Sequence, residues 1–358
     1  MFLTLCPSSL DFRANKSKLN RMTHNGAKNP KIVFRLSHMG DVALTTGVLS
    51  HWQEVHCDTF IFITRSGNAP LLERHPAVQD VITLDDAILK GKAWLKEAPR
   101  LASLYQGHTL LDLHGTLRSR ILSFFWKGEV KRYPKFGLER RLYDRTHAEV
   151  FRKRLEATTV PQRYAMAYGE KPAQAERLVP RIYLSEFEKD DAALRLQHLT
   201  GDRPLVAIHP YATHPAKQWP RAHWKALTGL LASADMDWII VGRDKEPLIP
   251  GHDHDLTNKT DLRETCALLS QADLLVTADS GPMHLASGVD TPSLAMFGPT
   301  AKVWGFYPAG PLDRVLEKDL NCRPCSLHGG KPCEKGYECL AGITPEEVLE
   351  NVAEMLKR

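Results

Sequence analysis

The sequence predicts an α/β protein built from two doubly wound parallel sheets that face each other across a central cleft. Three observations carry this. β-Branched runs alternate with helix-compatible segments, the alternation loosens once near the middle and then restarts, and 358 residues is the length of about two domains. The composition, 43% hydrophobic and 25% charged, suits a soluble globular chain with two cores and excludes disordered, collagenous and disulfide-framework classes.

The run Lys31-Ile32-Val33-Phe34-Arg35-Leu36 reads as a strand that halts at Ser37-His38-Met39-Gly40-Asp41, and residues 42–52 read as the following helix. Further strands are expected at 59–64, 81–84 and 109–113, with helix-compatible stretches such as 87–105 between them. That alternation implies a parallel sheet covered on both faces. The pattern loosens over 127–168, a basic and aromatic region, and the two prolines in 171–180 place a linker there. The expected divisions are a disordered tail at 1–29, one domain at 30–175 and a second at 176–358.

The second half repeats the pattern. Strands are expected at 205–209, 238–242, 274–277 and 293–297, and helices at 222–233, 262–270 and from Pro282, a residue suited to a first helical turn. Residues 345–357 read as an amphipathic helix capped by Thr344 that packs through Val348, Val352 and Met355. Ligands of doubly wound sheets sit beyond the carboxyl ends of the strands, so the cleft between the halves is the expected site.

The net charge of +5 conceals an asymmetry. Residues 1–175 hold 27 basic and 16 acidic residues (+11), and the remainder carries −6. Two halves of opposite sign imply two tasks. No apolar stretch reaches the roughly 18 residues of a membrane span. The N-terminus lacks the layout of a signal peptide, and seven cysteines, an odd number, fit a reducing cytoplasm.

Several residues carry chemistry. Asp279-Ser280-Gly281-Pro282-Met283-His284 joins a strand end, a glycine, a hydroxyl and a helix start, which together make an anion site; the bland alternative is a helix cap with a buried His284. Lys217, in a loop after a strand end, could neutralise a phosphate or be a solvated surface charge. Asp41 reads either as a first-turn helix carboxylate or as a general base facing the cleft. No Gly-x-Gly-x-x-Gly fingerprint, Walker loop or zincin motif occurs, which argues against dehydrogenase, kinase and metalloprotease readings.

From Lys31 onward the chain resembles the family 9 glycosyltransferases, the ADP-heptose:lipopolysaccharide heptosyltransferases. Five blocks carry the resemblance in order: 36–42, 111–119, 209–220, 258–262 and 278–300. It implies a GT-B fold, two facing Rossmann-like sheets with an N-terminal acceptor domain and a C-terminal nucleotide-sugar domain. It also implies inverting transfer of a heptose by single displacement. Asp41 matches the base, and Lys217 and Thr213 match groups that hold the diphosphate. Asp279, Ser280, Gly281 and His284 match the phosphate loop, Asp244 an acidic residue near the ribose, and Thr260 the adenine pocket. His38, Gly40, His114, Arg118 and Arg120 fall on the acceptor side; His38 and His114 depart from the family pattern, which commonly has a small polar residue and glutamine there.

The implied partners are an ADP-sugar donor and an anionic glycolipid, the lipopolysaccharide inner core, met at the cytoplasmic face of the inner membrane by peripheral contact. Residues 118–154, with 12 basic and 4 acidic residues, would steer that acceptor, and no nucleic-acid partner is expected. A lysine and helix amides can stabilise departing ADP, and no Asp-x-Asp motif is present, so no catalytic cofactor is expected. Cys322, Cys325, Cys333 and Cys339, within segment 322–339, are open to three readings: a structural zinc, reduced thiols with occasional disulfides, or an iron–sulfur cluster. Two other functions compete with heptose transfer: a related GT-B transferase using a UDP or GDP sugar, and a nucleotide-sugar-binding protein without turnover.

Overall fold

The computed structural model describes residues 29–169, 171–330 and 332–357, so the expected tail at 1–29 lies, save for its last residue, outside the described residues. The first half runs β1 (Lys31–Phe34), α1 (Met39–His56), β2 (Phe60–Arg65), β3 (Val78–Leu84), α2 (Gly91–Leu104), β4 (Leu110–Asp112), α3 (Leu117–Phe125) and β5 (Val130–Arg132). Four helices follow: α4 (Gly137–Thr146), α5 (Glu149–Glu156), α6 (Val160–Ala165) and α7 (Glu186–Leu196). The second half runs β6 (Leu205–His209), α8 (Arg221–Ser233), β7 (Asp237–Ile240), α9 (Leu262–Ser270), β8 (Leu274–Ala278), α10 (Pro282–Gly288), β9 (Ser293–Phe297) and β10 (Arg314–Glu317), closing with α11 (Glu338–Ala341) and α12 (Pro345–Leu356).

Each half holds a five-stranded sheet, ordered β3-β2-β1-β4-β5 and β10-β9-β8-β6-β7, with every pairing parallel. The central strands are apolar on both faces because helices cover both: Ile32, Val33, Phe34, Leu110 and Leu111 are fully buried, as are Val206, Ala207 and Ile208. The strand order reverses between β1 and β4 and between β6 and β8, and these switch points open crevices at the carboxyl ends of the strands. The sequence reading misses β5 and β10. Both are edge strands with charged residues and partial exposure, so neither shows the apolar run of a buried strand. The C-terminal helix packs as expected, with Thr344 accepting the Glu347 amide at 3.2 Å and Val348 and Val352 buried.

A glycine-lined seam joins the halves. On α1, a β-carbon at Gly47 would stand 2.2 Å from the Val179 carbonyl oxygen; on α10, one at Gly288 would stand 2.8 Å from Ile182. The connecting chain threads between the two helices, with the Ile182 amide donating to Gly288 O at 2.6 Å and the Arg181 amide to Thr46 Oγ1 at 2.8 Å. The region over 137–165 also reaches the second half. Arg163, fully buried, donates to Thr158 O at 2.8 Å and Trp304 O at 3.4 Å, and Tyr143 and Leu155 pack with Val303 and Trp304. Basic residues expected to serve a ligand are in part spent on this packing: Arg140 is 8% exposed.

Gly47→Ala should therefore destabilise the fold by ~1–3 kcal/mol, because backbone atoms cannot yield to a methyl. Gly229→Ala, at an exposed helical glycine with open space around it, should stabilise by ~0.5–1 kcal/mol through helix propensity. Urea melts of both variants check this, and equal shifts would contradict a close-packed seam.

Candidate functional site

The turns after β1, β6 and β8 converge where the two switch points face each other. At their meeting point the backbones pass closely: a β-carbon on Gly40 would lie 3.1 Å from Gly281 Cα, and one on Gly281 would displace the end of Met39, 2.6 Å away at Cε. Two cavities flank this contact. One, of about 540 Å³, is lined by His38, Gly40, Asp41, Lys217, Asp279 and His284, with Trp304, Phe306 and His328 closing its far wall. The other, of about 710 Å³, is lined by Tyr211, Gly242, Asp244, Thr260 and Leu262. Met39, Thr213, Ser280 and Gly281 line both, so the two spaces adjoin.

Asp41 sits in the first turn of α1, and its side chain is 11% exposed. One carboxylate oxygen pairs with Arg35 and accepts the His38 amide at 3.1 Å; the other accepts the Tyr164 hydroxyl at 2.7 Å. Burial alone would raise its pKa, but Arg35, the Tyr164 hydroxyl and the His38 amide outweigh it and hold the carboxyl below its ordinary range. A carboxylate offers about four acceptor sites, so three donors leave room for one more. Arg35 is fixed in turn by donating to Leu113 O at 2.7 Å and lying 5.3 Å from the centre of the Tyr164 ring.

From the second half, Lys217 pairs with Asp279 at 2.6 Å, and the Thr300 hydroxyl donates to the same carboxylate oxygen at 2.6 Å. The lysine is 17% exposed, so it is a held charge and not a free surface one. Ser280 Oγ lies 3.2 Å from His209 Nδ1 and 3.1 Å from Thr277 Oγ1. His284 is 3% exposed, and burial drops its pKa to about 4; His209 falls to about 4 for the same reason. In the second cavity, Asp244 is positioned by Asn258, whose Nδ2 donates to Asp244 O at 2.7 Å, while Thr260 Oγ1 lies 2.9 Å from Thr265 Oγ1. Gly242, at φ 128°, leaves the space that the His209 and Tyr211 rings occupy 2.8 Å from where its β-carbon would stand.

The remaining expected residues lie elsewhere. His114 is 6% exposed, edge-on to Phe34, and burial together with Arg35 drops its pKa to about 3. Arg118 donates from Nε to Leu89 O at 2.9 Å, and Arg120 is exposed on α3; none of the three lines either cavity. The sequence reading misses Arg35, Tyr164, Trp304 and His328. Arg35, a charge closing an apolar strand, is a signal in plain view. Tyr164 stands 123 residues from Asp41 with no local pattern to mark it.

The zinc reading of the cysteines is corrected. A structural zinc needs four ligands converging tetrahedrally. Cys322, Cys325, Cys333 and Cys339 line one narrow cavity, yet among the described residues no group of three His, Cys, Asp or Glu is arranged to hold a metal ion. The segment is held by Arg323, which donates to Phe297 O at 3.2 Å and Thr300 O at 3.0 Å. Among the described residues no helix is long and apolar enough to cross a membrane.

The model of a family described as glycosyltransferase family 9 (heptosyltransferase) matches residues 103–333. The lipooligosaccharide heptosyltransferase 2 of Haemophilus influenzae is 29% identical over 323 residues, covering 81% of this chain and 88% of that protein. A glycosyl transferase family 9 structure from Veillonella parvula superposes with a TM-score of 0.68 at 18% identity, covering 92% of this chain and 97% of that one. The structure of E. coli ADP-heptose LPS heptosyltransferase II superposes with a TM-score of 0.67 at 22% identity, covering 92% and 99%. The architecture is the GT-B fold.

The buried histidines make stability depend on pH in a defined direction. His75, His209 and His284 fall to about 4 in the folded chain from an ordinary 6.5, so the unfolded chain binds more protons between those values. Stability is full above about pH 6.5 and is lost as pH drops toward 4. Melting temperature should fall between pH 6.5 and 5, before ordinary carboxylates titrate, and stay level from 7 to 8; a level profile down to pH 5 would contradict the buried neutral assignment.

Proposed function

The chain belongs to glycosyltransferase family 9, and from that premise we propose that it moves a heptose from ADP-heptose to an inner-core acceptor of lipopolysaccharide. One observation carries the reading: Asp41, from the first half, and Lys217, from the second, line one cavity, and a second cavity of nucleoside size adjoins it at Thr213, Ser280 and Gly281. The nucleoside of the donor would occupy the second cavity, near Asp244 and Thr260. Its diphosphate would pass Thr213 and Ser280 to reach Lys217, leaving the sugar between Lys217 and Asp41.

In the displacement, the acceptor hydroxyl oxygen bonds to the anomeric carbon from the Asp41 side. The bond from that carbon to the ADP oxygen breaks on the Lys217 side, which inverts the configuration. The hydroxyl proton passes to the remaining acceptor site of the Asp41 carboxylate. A lowered pKa keeps Asp41 ionised at neutral pH but makes it a weak base. It therefore takes the proton late, once bond formation has made the hydroxyl acidic. The ammonium of Lys217 offsets the charge growing on ADP; helix α10, only seven residues long, adds a few amides at Ser280 and Gly281. The exposed cations of the first half, among them Arg120, Lys127 and Arg141, suit an anionic glycolipid approached at the cytoplasmic face of the inner membrane.

Asp41→Ala should lower kcat by roughly 10²-fold or more while the Kd for ADP-heptose changes little. Lost donor affinity with turnover intact would make Asp41 a binding residue. Thermal shift assays should show stabilisation by ADP-sugars and not by UDP- or GDP-sugars; a shift with only UDP or GDP sugars would overturn the donor assignment. Because Lys217 supplies the charge that a divalent ion otherwise would, turnover should persist in excess EDTA, and its abolition would contradict that role.

A further inference from the structure

The cysteine-rich segment is the motif that the proposed reaction leaves unused, and its described residues face two ways. On one side its four thiols line their narrow cavity, and the Cys325 and Ser326 amides donate to Pro299 O at 3.1 and 3.2 Å, tying the segment to the end of β9. On the other side, Leu327 and His328 line the cavity shared by Asp41 and Lys217. The turn between these faces is closely fixed. The Gly329 amide donates to Ser326 Oγ at 2.8 Å, and Trp304 Nε1 donates to Ser326 O at 3.1 Å. Gly329, at φ 78°, lies on the stem of Lys217, where a β-carbon would stand 2.8 Å from Lys217 Cγ and 3.1 Å from Cε. The same turn that supports the lysine thus presents the histidine.

We infer that His328 hydrogen-bonds the hydroxyls of the transferred sugar, so that the cysteine-rich segment forms one wall of the donor site. This rests on the proposed reaction, which puts the sugar between Lys217 and Asp41. His328 lines the same cavity as Lys217 and Asp41, and its side chain is exposed, so it is open to a ligand there. Partial burial, and then the Lys217 charge, hold its imidazole below the ordinary histidine value, so it is neutral at pH 7. A neutral imidazole carries one donor and one acceptor, which matches a sugar hydroxyl better than a phosphate, and the phosphate already has Lys217. The wall itself is anchored by the Cys325 and Ser326 amides on Pro299 O and by Arg323 on Phe297 O and Thr300 O.

The test is calorimetric titration of the full chain with ADP and with ADP-heptose, without acceptor, for the wild type, His328→Ala and His328→Gln. The wild type should bind ADP-heptose more tightly than ADP. His328→Ala should lose roughly three- to tenfold in ADP-heptose affinity while ADP affinity stays the same, the scale of one neutral hydrogen bond. Gln, which keeps a donor and an acceptor, should recover part of the loss. Equal losses for ADP and ADP-heptose, or none for either, would overturn the inference while leaving the reaction standing. A wild type that binds ADP but gains nothing from the sugar would overturn both.

Discussion

The rest of the structure depends on a close-packed seam between α1, the turn into α10 and the chain that links the halves. Gly40 and Gly47 on α1 stand two turns apart, as do Gly281, just before α10, and Gly288 at its end; Gly40 meets Gly281, Gly47 the Val179 carbonyl and Gly288 the Ile182 side chain, each too closely for a β-carbon to enter without displacing a neighbour. A close-packed interior passes small displacements on to its neighbours. The position of Asp41 relative to Lys217 therefore depends on this seam as well as on the residues that hold each group. The two switch points place the turns near one another, and the glycines set how near.

In the proposed reaction, a structural role and a chemical one would share the Asp41 carboxylate. As the third residue of α1 it accepts the His38 amide, the ordinary duty of an acidic residue in a first turn. Arg35 and Tyr164 then fix the plane of the carboxylate and keep it ionised. The arrangement trades basicity for orientation, which suits the late proton transfer of the proposed reaction. Lys217 is held likewise, between Asp279 and Gly329, so both poles of the cavity are fixed before any ligand arrives.

Much of this was legible in the sequence. The apolar runs at 205–209 and 293–297 gave their strands residue for residue, because strands buried in a doubly wound sheet leave few polar interruptions. The edges were harder: Val130–Arg132 and Arg314–Glu317 pair through backbone groups that composition does not reveal. Asp41, Lys217, Asp279 and His284 were found because each lies at a strand end or a helix start. Tyr164 and His328 were not, since only the folding of 137–165 and of the cysteine segment onto the cleft brings them to it. The charge arithmetic pointed to a basic first half but could not show that Arg35, Arg140 and Arg163 are spent inside the protein.

The seam can be probed without touching a chemical group. In Gly40→Ala, the added methyl would meet the His284 ring at 3.0 Å and Gly281 Cα at 3.1 Å, so the two sides of the contact must part by a few tenths of an ångström, which moves Asp41 relative to the second half. Steady-state kcat should fall by about tenfold or more, since small misplacements of a reacting group are costly. The affinity for ADP, whose proposed pocket lies almost wholly in the second half, should change little. Undiminished turnover in this variant would contradict the claim that the glycine contact sets the geometry of the reaction.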